Sequence, residues 1–164
     1  MSKRPTFIAP PQELKRKAVN FKRGFSLKLE PEVMKKLEQV VEKATDNFTV
    51  EVADKLKQLR AAVNQMAEGD QNTVHYMREI RSLSLDIKGM GGMFKYPLLT
   101  AFAKSLNDFV QGMHAPTEIQ LDIIGAQIDA LYVVMANRIQ GGGGQTEQEL
   151  LNVLHVATKK YKDS

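Results

Sequence analysis

The chain has 164 residues, of which 43% are hydrophobic, so it is long enough for one domain with a single core. It contains no cysteine, which excludes disulfides and thiol catalysis and fits a cytoplasmic location. The sequence has no uninterrupted apolar run of about 18 residues and no apolar leader, so neither a membrane span nor a signal peptide is expected.

The net charge of +4 is unevenly distributed along the chain. Residues 1–28 contain eight Lys or Arg and one acid, Glu13, so they carry +7 and leave about −3 for the remainder. This composition, together with its prolines, predicts a basic N-terminal arm over residues 1–29. Basic arms can bind nucleic acid or anionic membranes by counterion release. No nucleic-acid recognition motif is present here, so a solvated, partly docked tail is the simpler interpretation of this arm.

From Pro31 onward, apolar residues recur every three or four positions, which predicts helices, and no strand pattern occurs. The first helix is predicted from Pro31 to about Glu68, continuous or slightly bent. One apolar stripe follows it: Met34, Leu37, Val41, Ala44, Phe48, Val52, Leu56, Leu59, Val63 and Met66. A turn over residues 69–72 follows, and Asn72 or Thr73 is expected to cap the next helix.

The second half of the chain predicts three more helices. Pro97 suits the first turn of one of them. Thr117 is expected to cap another over residues 118–139, which the glycines at 141–144 would end. A capping-box pattern at 146–149 begins the last helix. Several amphipathic helices with short connections predict an all-α protein, an antiparallel up-and-down bundle of the four-helix type.

The predicted helix that ends near Met93 has an unusual outer face. Its inner stripe is ordinary and contains Met77, Ile80, Leu83 and Ile87. Leu85 is expected to face solvent, with Arg81 one turn before it and Lys88 one turn after it. Three glycines in four positions follow: Gly89, Gly91 and Gly92. Since each interior glycine costs a helix about 1 kcal/mol, their bare backbone indicates close approach by another molecule.

The run Leu85-Asp86-Ile87-Lys88-Gly89, followed by Gly92, resembles the motif of the histidine phosphotransfer (HPt) domain. That motif is His-x-x-Lys-Gly with a further glycine three residues later, and Leu85 stands at the place of the histidine. The stretches DIKGMGGMFKYPLLT and IDALYVVMANRI and the GGGG turn are similar to one branch of these domains, associated with alphaproteobacteria. The resemblance covers roughly residues 31–162 and implies a helical-bundle domain over residues 30–164.

The resemblance also implies a place in two-component phosphorelay signalling. In HPt domains an exposed imidazole takes a phosphoryl group from an aspartate of a receiver domain and passes it on. Leu85 has no lone pair, so this chain is expected to carry no phosphate, to be no enzyme and to need no cofactor. The resemblance implies that Lys88 supplies positive charge for the phosphoryl group or the aspartate. It also implies that Gly89 and Gly92, which have no side chains, leave room for the partner to approach. Lys95 stands where these domains commonly have glycine, and it adds charge near the same surface.

The predicted function is therefore that of an HPt-like protein that binds the receiver domain of a response regulator. The expected docking residues are Arg81, Leu85, Lys88, Gly89, Gly92 and Lys95. A hybrid histidine kinase is a further candidate partner, whereas nucleic acid is not expected. Two alternatives stay open: a self-associating structural bundle with Leu85 in a dimer seam, where the glycines would serve helix packing, and a binder of anionic polymers through the basic arm.

Few other residues of the sequence are candidates for catalysis, metal binding or contact with a partner. His75, His114 and His155 lack a Lys-Gly neighbourhood and are not expected to replace the missing imidazole. No pair of His or Cys has metal-ligand spacing, so no metal site is expected. Met90 and Met93 flank the glycines and are candidate contact residues.

Overall fold

The computed structural model describes residues 31–164, which form five α-helices and, in that range, no strand. The helices are α1 (Pro31–Ala67), α2 (Thr73–Met93), α3 (Pro97–Val110), α4 (Glu118–Ala136) and α5 (Gln145–Tyr161). The prediction of an all-α protein is confirmed. The predicted arm over residues 1–29, and its boundary with the helical domain, lie outside the described residues.

The chain divides into two units, residues 1–40 and residues 41–164. Of the first unit the structure describes residues 31–40, which are helical and exposed throughout. The second unit contains the rest of α1 and all of α2 to α5.

Helix α3 is central to the packing of the second unit because it contacts α2, α4 and α5. Half of its residues are buried and apolar: Leu98, Leu99, Phe102, Ala103, Leu106, Phe109 and Val110. Helix α5 also contacts α4. Each buried side chain of this size contributes roughly 1.5–3 kcal/mol to the free energy of folding, so α3 provides the surface on which this helical bundle assembles.

Helix α1 is continuous, as its unbroken stripe predicts. The stripe is buried from Phe48 onward, where it includes Val52, Leu56, Leu59, Ala62, Val63 and Met66. The Phe48 ring stacks on Phe94 with 4.3 Å between centroids, in the connection between α2 and α3. Before Phe48 the same stripe is exposed.

Ion pairs also join α1 to its neighbours. Lys55 Nζ lies 3.0 Å from Asp86 Oδ2 on α2, and Arg60 pairs with Asp129 on α4. Both pairs are partly exposed, so each is worth at most about 1 kcal/mol. The first pair links α1 to α2, and the second links α1 to α4.

Some helix ends differ from their predicted positions. The helix capped by Thr117 ends at Ala136 instead of running to the glycines, and Arg138 then turns the chain with a φ of +49°. Helix α5 begins at Gln145, where the Glu147 carboxylate accepts the Gly144 N–H at 2.7 Å. The predicted cap at Thr117 is confirmed, since its Oγ1 accepts the Gln120 N–H at 3.3 Å.

The start of α2 is fixed by a residue that the sequence did not single out. Asn72 occupies the N-cap position of α2, as expected, but its side chain makes no cap hydrogen bond. Instead, Asp70 Oδ1 accepts the Asn72 N–H at 2.8 Å, and Asp70 Oδ2 accepts the Tyr76 hydroxyl at 2.8 Å. The hydrogen bonds from Asn72 and Tyr76 lower the pKa of Asp70, and the bond to Asp70 raises the pKa of Tyr76. A turn stabilised by the Asp70 side chain therefore precedes the N-cap and takes the place of a side-chain cap hydrogen bond.

Helix α4 is long and apolar enough to pass for a membrane span by length and composition alone. In the structure 56% of its 18-residue apolar window is buried inside the protein. That burial is the behaviour of a core helix.

Two buried glutamines on α4 have opposite surroundings. Gln120 is satisfied: its Nε2 donates to Tyr161 O at 2.9 Å and its Oε1 accepts the Thr117 N–H at 2.9 Å. Gln127 is fully buried, and neither atom of its amide has a hydrogen-bond partner among the described residues. A buried polar group without a partner keeps the whole cost of its desolvation.

Replacement of each glutamine by methionine is predicted to change stability in opposite directions. Gln127→Met should raise the free energy of unfolding by about 1–3 kcal/mol, because it removes an unpaired amide at nearly constant volume. Gln120→Met should lower it by a similar amount, because it removes the hydrogen bonds to the carbonyls of Tyr161 and Lys162 and to the Thr117 N–H. Urea unfolding measures both, and a change of the same sign in the two variants would contradict the assignment.

Candidate functional site

Leu85 lies on the surface of α2 with 55% of its area exposed, whereas its neighbours Ser84 and Ile87 are fully buried. This is the orientation that the spacing predicts. A leucine so exposed contributes little to the core, since most of its surface remains in water.

A polar bridge to α3 fixes this orientation. Ser84 Oγ donates to Arg81 O at 3.0 Å, and Asn107 Nδ2 of α3 donates both to Ser84 Oγ and to Arg81 O, each at 3.0 Å. Because successive helix residues are about 100° apart, a Ser84 that points at α3 turns Leu85 away from it.

The three glycines after Leu85 serve different purposes. A Cβ on Gly91 would lie 2.5 Å from Thr100 Oγ1 and 2.9 Å from Thr100 N, so Gly91 permits α2 and α3 to approach closely. A Cβ on Gly89 or on Gly92 would meet no atom of the packed neighbours within 4 Å among the described residues. Internal packing therefore explains Gly91 and leaves Gly89 and Gly92 unexplained.

Helix α2 remains helical across this weak stretch because α3 supports it from inside. Thr100 Oγ1 donates to Lys88 O at 3.2 Å, and the Tyr96 N–H donates to Gly91 O at 2.9 Å. These bonds hold the backbone that the glycines would otherwise loosen. The outer side of the same turns carries no side chain at Gly89 or Gly92, so it offers bare, rigid backbone.

Arg81 and Lys88, two of the basic residues in the predicted docking surface, are not fully exposed to solvent. Arg81 is partly buried, and its Nε donates to Met77 O at 3.4 Å. Lys88 is also partly buried, and the ion pairs found among residues 31–164 include neither side chain. Both charges are thus available to an anionic partner, and Lys88 stands one turn from Leu85.

On its other side Leu85 borders a shallow groove between α1 and α2, with a volume of about 440 Å³. Its lining consists of Glu51, Lys55, Leu85, Asp86, Gly89, Met90 and Met93. Met93 is 79% exposed, and Lys55 lies between Asp86 at 3.0 Å and Glu51 at 3.8 Å. Of the predicted docking residues, only Leu85 and Gly89 line this groove; Arg81, Lys88, Gly92 and Lys95 do not.

The residues that α1 contributes to this surface were missed by the sequence analysis. Glu51 and Lys55 belong to an ordinary charged face of a long helix, and no local pattern distinguishes them. Only the packing of α1 beside α2 brings them next to Leu85. The two methionines were recognised from their position beside the glycines.

Lys95 has a left-handed backbone, with φ of +62°, in the connection between α2 and α3. This conformation strains any residue with a Cβ and suits glycine. The side chain of Lys95 is exposed, while the flanking Phe94 and Tyr96 pack near Phe48.

The remaining candidates form no second site. His75, His114 and His155 are all exposed and lie on separate elements or connections. No three His, Cys, Asp or Glu side chains within residues 31–164 are arranged to hold a metal ion.

Comparison with protein-family models, with curated proteins and with solved structures finds no match to this chain.

Alanine at Gly89 and at Gly91 is predicted to have opposite effects on stability. Gly89→Ala should raise the free energy of unfolding by about 0.5–1 kcal/mol, since it improves helix propensity and meets no neighbour. Gly91→Ala should lower it by about 1–3 kcal/mol, since its methyl would overlap Thr100. Chemical denaturation of the two variants checks this, and destabilisation by Gly89→Ala would show that its bare backbone has an internal purpose.

Relief of backbone strain at Lys95 is predicted to stabilise the chain. Lys95→Gly should raise the free energy of unfolding by about 1 kcal/mol, because glycine adopts positive φ without a steric penalty. Lys95→Ala removes the same charge and retains the strain, so it is the matched control and should give no such gain. Equal melting temperatures for the two variants would contradict this explanation.

Proposed function

We propose that this chain is an HPt-like protein of two-component signalling that carries no phosphate and binds the receiver domain of a response regulator. The observation that supports this most strongly is an exposed Leu85 followed by Gly89 and Gly92, whose lack of side chains has no internal explanation. Two stability-lowering glycines beside an exposed leucine form a surface suited to close contact with another protein.

The chemistry at residue 85 supports binding without transfer. A phosphoryl acceptor needs a nucleophilic lone pair, and the leucine side chain has none. Leu85 would instead bury apolar area against the partner at the point where a histidine would react. Sequestration of a receiver, competition for it or scaffolding are the activities open to such a protein.

The charges around Leu85 favour a partner with an acidic centre. Lys88 is one turn away and outside the ion pairs of the described residues, while Arg81 lies one turn before. A receiver domain presents the carboxylate that accepts and donates phosphoryl groups, so its docking face suits these cations. Lys95 would add a further cation at the end of α2, near Gly92 in the sequence.

The proposal includes an antiparallel up-and-down arrangement of the four-helix type, a cytoplasmic location and a hybrid histidine kinase as a second partner. The short connections between amphipathic helices support the arrangement, the lack of cysteine fits the location, and the resemblance of the motif at residues 85–92 to that of HPt domains suggests the kinase.

Binding to receiver domains encoded in the same genome, measured by calorimetry, tests the proposal. At least one receiver should bind, and Leu85→Glu should weaken its affinity by about tenfold or more, because the glutamate places an uncompensated charge in the centre of the contact. Val74→Glu is the matched control: Val74 lies on the same helix with 52% exposure, and its substitution should leave affinity nearly unchanged.

Two results would contradict the proposal. One is the absence of binding to every receiver domain; the other is an equal loss of affinity in Leu85→Glu and Val74→Glu. Phosphotransfer gives an independent check: the wild-type chain should acquire no phosphate from a phosphorylated receiver, whereas Leu85→His should acquire it on the new imidazole.

A further inference from the structure

A second cleft lies between α3 and α5, and the proposed function does not use it. Its volume is about 640 Å³, which is within the range of roughly 300–1,000 Å³ found for pockets that hold small organic molecules. All of its lining residues belong to α3, to α5 or to Lys162, which follows α5 directly. The cleft therefore shares no residue with the groove beside Leu85, whose lining comes from α1 and α2.

Small side chains on α3 create the space. Ala101 and Ser105 are one turn apart on the side of α3 that lines the cleft. Two packed helices have axes about 8–10 Å apart, a gap that side chains of this size leave partly unfilled. The cleft follows α3 from Ala101 to Phe109, which is about 12 Å of helix, so it is long enough for an elongated molecule.

Hydrogen bonds at its C-terminal end hold α5 beside the cleft. Lys162 Nζ donates to the Asp108 carbonyl of α3 at 2.8 Å. Gln120 of α4 donates from Nε2 to the carbonyls of Tyr161 at 2.9 Å and Lys162 at 3.2 Å. Two neighbouring helices thus fix the end of α5, and the cleft is a preformed feature of the fold, which lowers the ordering cost of binding a ligand.

The lining combines apolar surface with a few polar groups. Ala101, Phe109 and Leu151 supply apolar contacts, and Phe109 belongs to the buried core. The Ser105 hydroxyl and the Asn152 amide add hydrogen-bonding groups. Apolar walls with a few polar groups that fix orientation are typical of sites for small organic molecules.

The charged residues of the lining leave an excess of positive charge. They are three lysines, at 104, 159 and 162, and one acid, Asp108, so the lining has a formal net charge of +2 when His155 is neutral. Lys104 Nζ lies 2.5 Å from Asp108 Oδ2, which pairs those two charges. Lys159 and Lys162, one turn apart, take part in none of the ion pairs found within residues 31–164. Two ammonium groups at one end of the cleft are therefore available to an anion.

The same charges argue against the chain's own N-terminal segment as the occupant. Residues 1–28 carry +7, so a cleft with an excess of positive charge would repel them. An anion gains the attraction that this segment lacks, and the apolar walls favour an anion that also has an apolar part.

We propose that the cleft between α3 and α5 binds a small organic anion. The carboxylate, phosphate or sulfonate group of the ligand lies beside the ammonium groups of Lys159 and Lys162. Its aromatic or aliphatic part packs against Ala101, Phe109 and Leu151. Because the ligand binds the folded chain and contacts both helices, the melting temperature rises with ligand concentration.

Titration of the full chain with anilinonaphthalenesulfonate, an anion with a large aromatic part, tests the site through the fluorescence of the bound dye. The chain should bind the dye, and Lys159→Glu should raise the dissociation constant at least about tenfold, because it replaces an attractive charge by a repulsive one. Lys160→Glu is the matched control. It makes the same change of net charge at the next position of α5, outside the cleft, and should change the constant by less than about twofold.

A variant that fills the cleft tests the position of the site independently of charge. Ala101→Leu places a larger side chain in the space that the small residue leaves, so the dissociation constant for the dye should rise at least about tenfold. Circular dichroism shows whether this variant is folded. Amide chemical shifts of the unmodified chain give the same information without a substitution: the dye should move signals of α3 and α5 and leave those of α1 unchanged.

Competition separates the two parts of the ligand. Benzyl phosphate, which has both a charged and an aromatic part, should displace the dye. Inorganic phosphate and benzyl alcohol at the same concentration should displace much less of it, because the first lacks the apolar part and the second lacks the charge.

Several outcomes would overturn this inference. They are the absence of dye binding, an equal loss of affinity in Lys159→Glu and Lys160→Glu, and chemical-shift changes confined to helices other than α3 and α5. Equal displacement of the dye by inorganic phosphate and by benzyl phosphate would refute the apolar part of the ligand. No receiver domain is present in these measurements, so their results are independent of the proposed function.

Discussion

The contact between α2 and α3 is the constraint on which the candidate site depends. Gly91 brings the two helices together until Thr100 lies against the α2 backbone, and Thr100 holds the Lys88 carbonyl. Asn107 binds Ser84 one turn earlier on the same side. These contacts lie on the inner side of α2 and fix the rotation of the helix about its axis. They therefore determine which residues face outward, although none of the outward-facing residues takes part in them.

That arrangement explains how a glycine-rich turn can be both rigid and bare. Glycines at the end of a helix usually loosen it, because the unfolded backbone has more freedom to lose. Here α3 supplies hydrogen bonds and packing from inside, while Gly89 and Gly92 leave the outside open. A surface prepared in this way offers a partner backbone contact with little ordering cost, which is the general advantage of a preorganised interface.

The surface around Leu85 combines apolar area with charge. A small apolar centre lies next to Arg81 and Lys88 and to the Lys55–Asp86 pair, so charge complementarity would contribute to the proposed contact as well as apolar burial.

The sequence by itself determined the five helices, the inner stripe of α2, the cap at Thr117 and the outward orientation of Leu85, because each depends on spacing within a few residues. It did not separate Gly91 from Gly89 and Gly92, which look alike in the chain and differ only in their distance from Thr100. Nor could it show that Glu51 and Lys55 border Leu85, or that the apolar face of helix α1 is buried only from Phe48 onward. Those features were decided by tertiary structure, because they depend on which helix packs beside which, and local periodicity carries no information about a neighbour far away in the sequence.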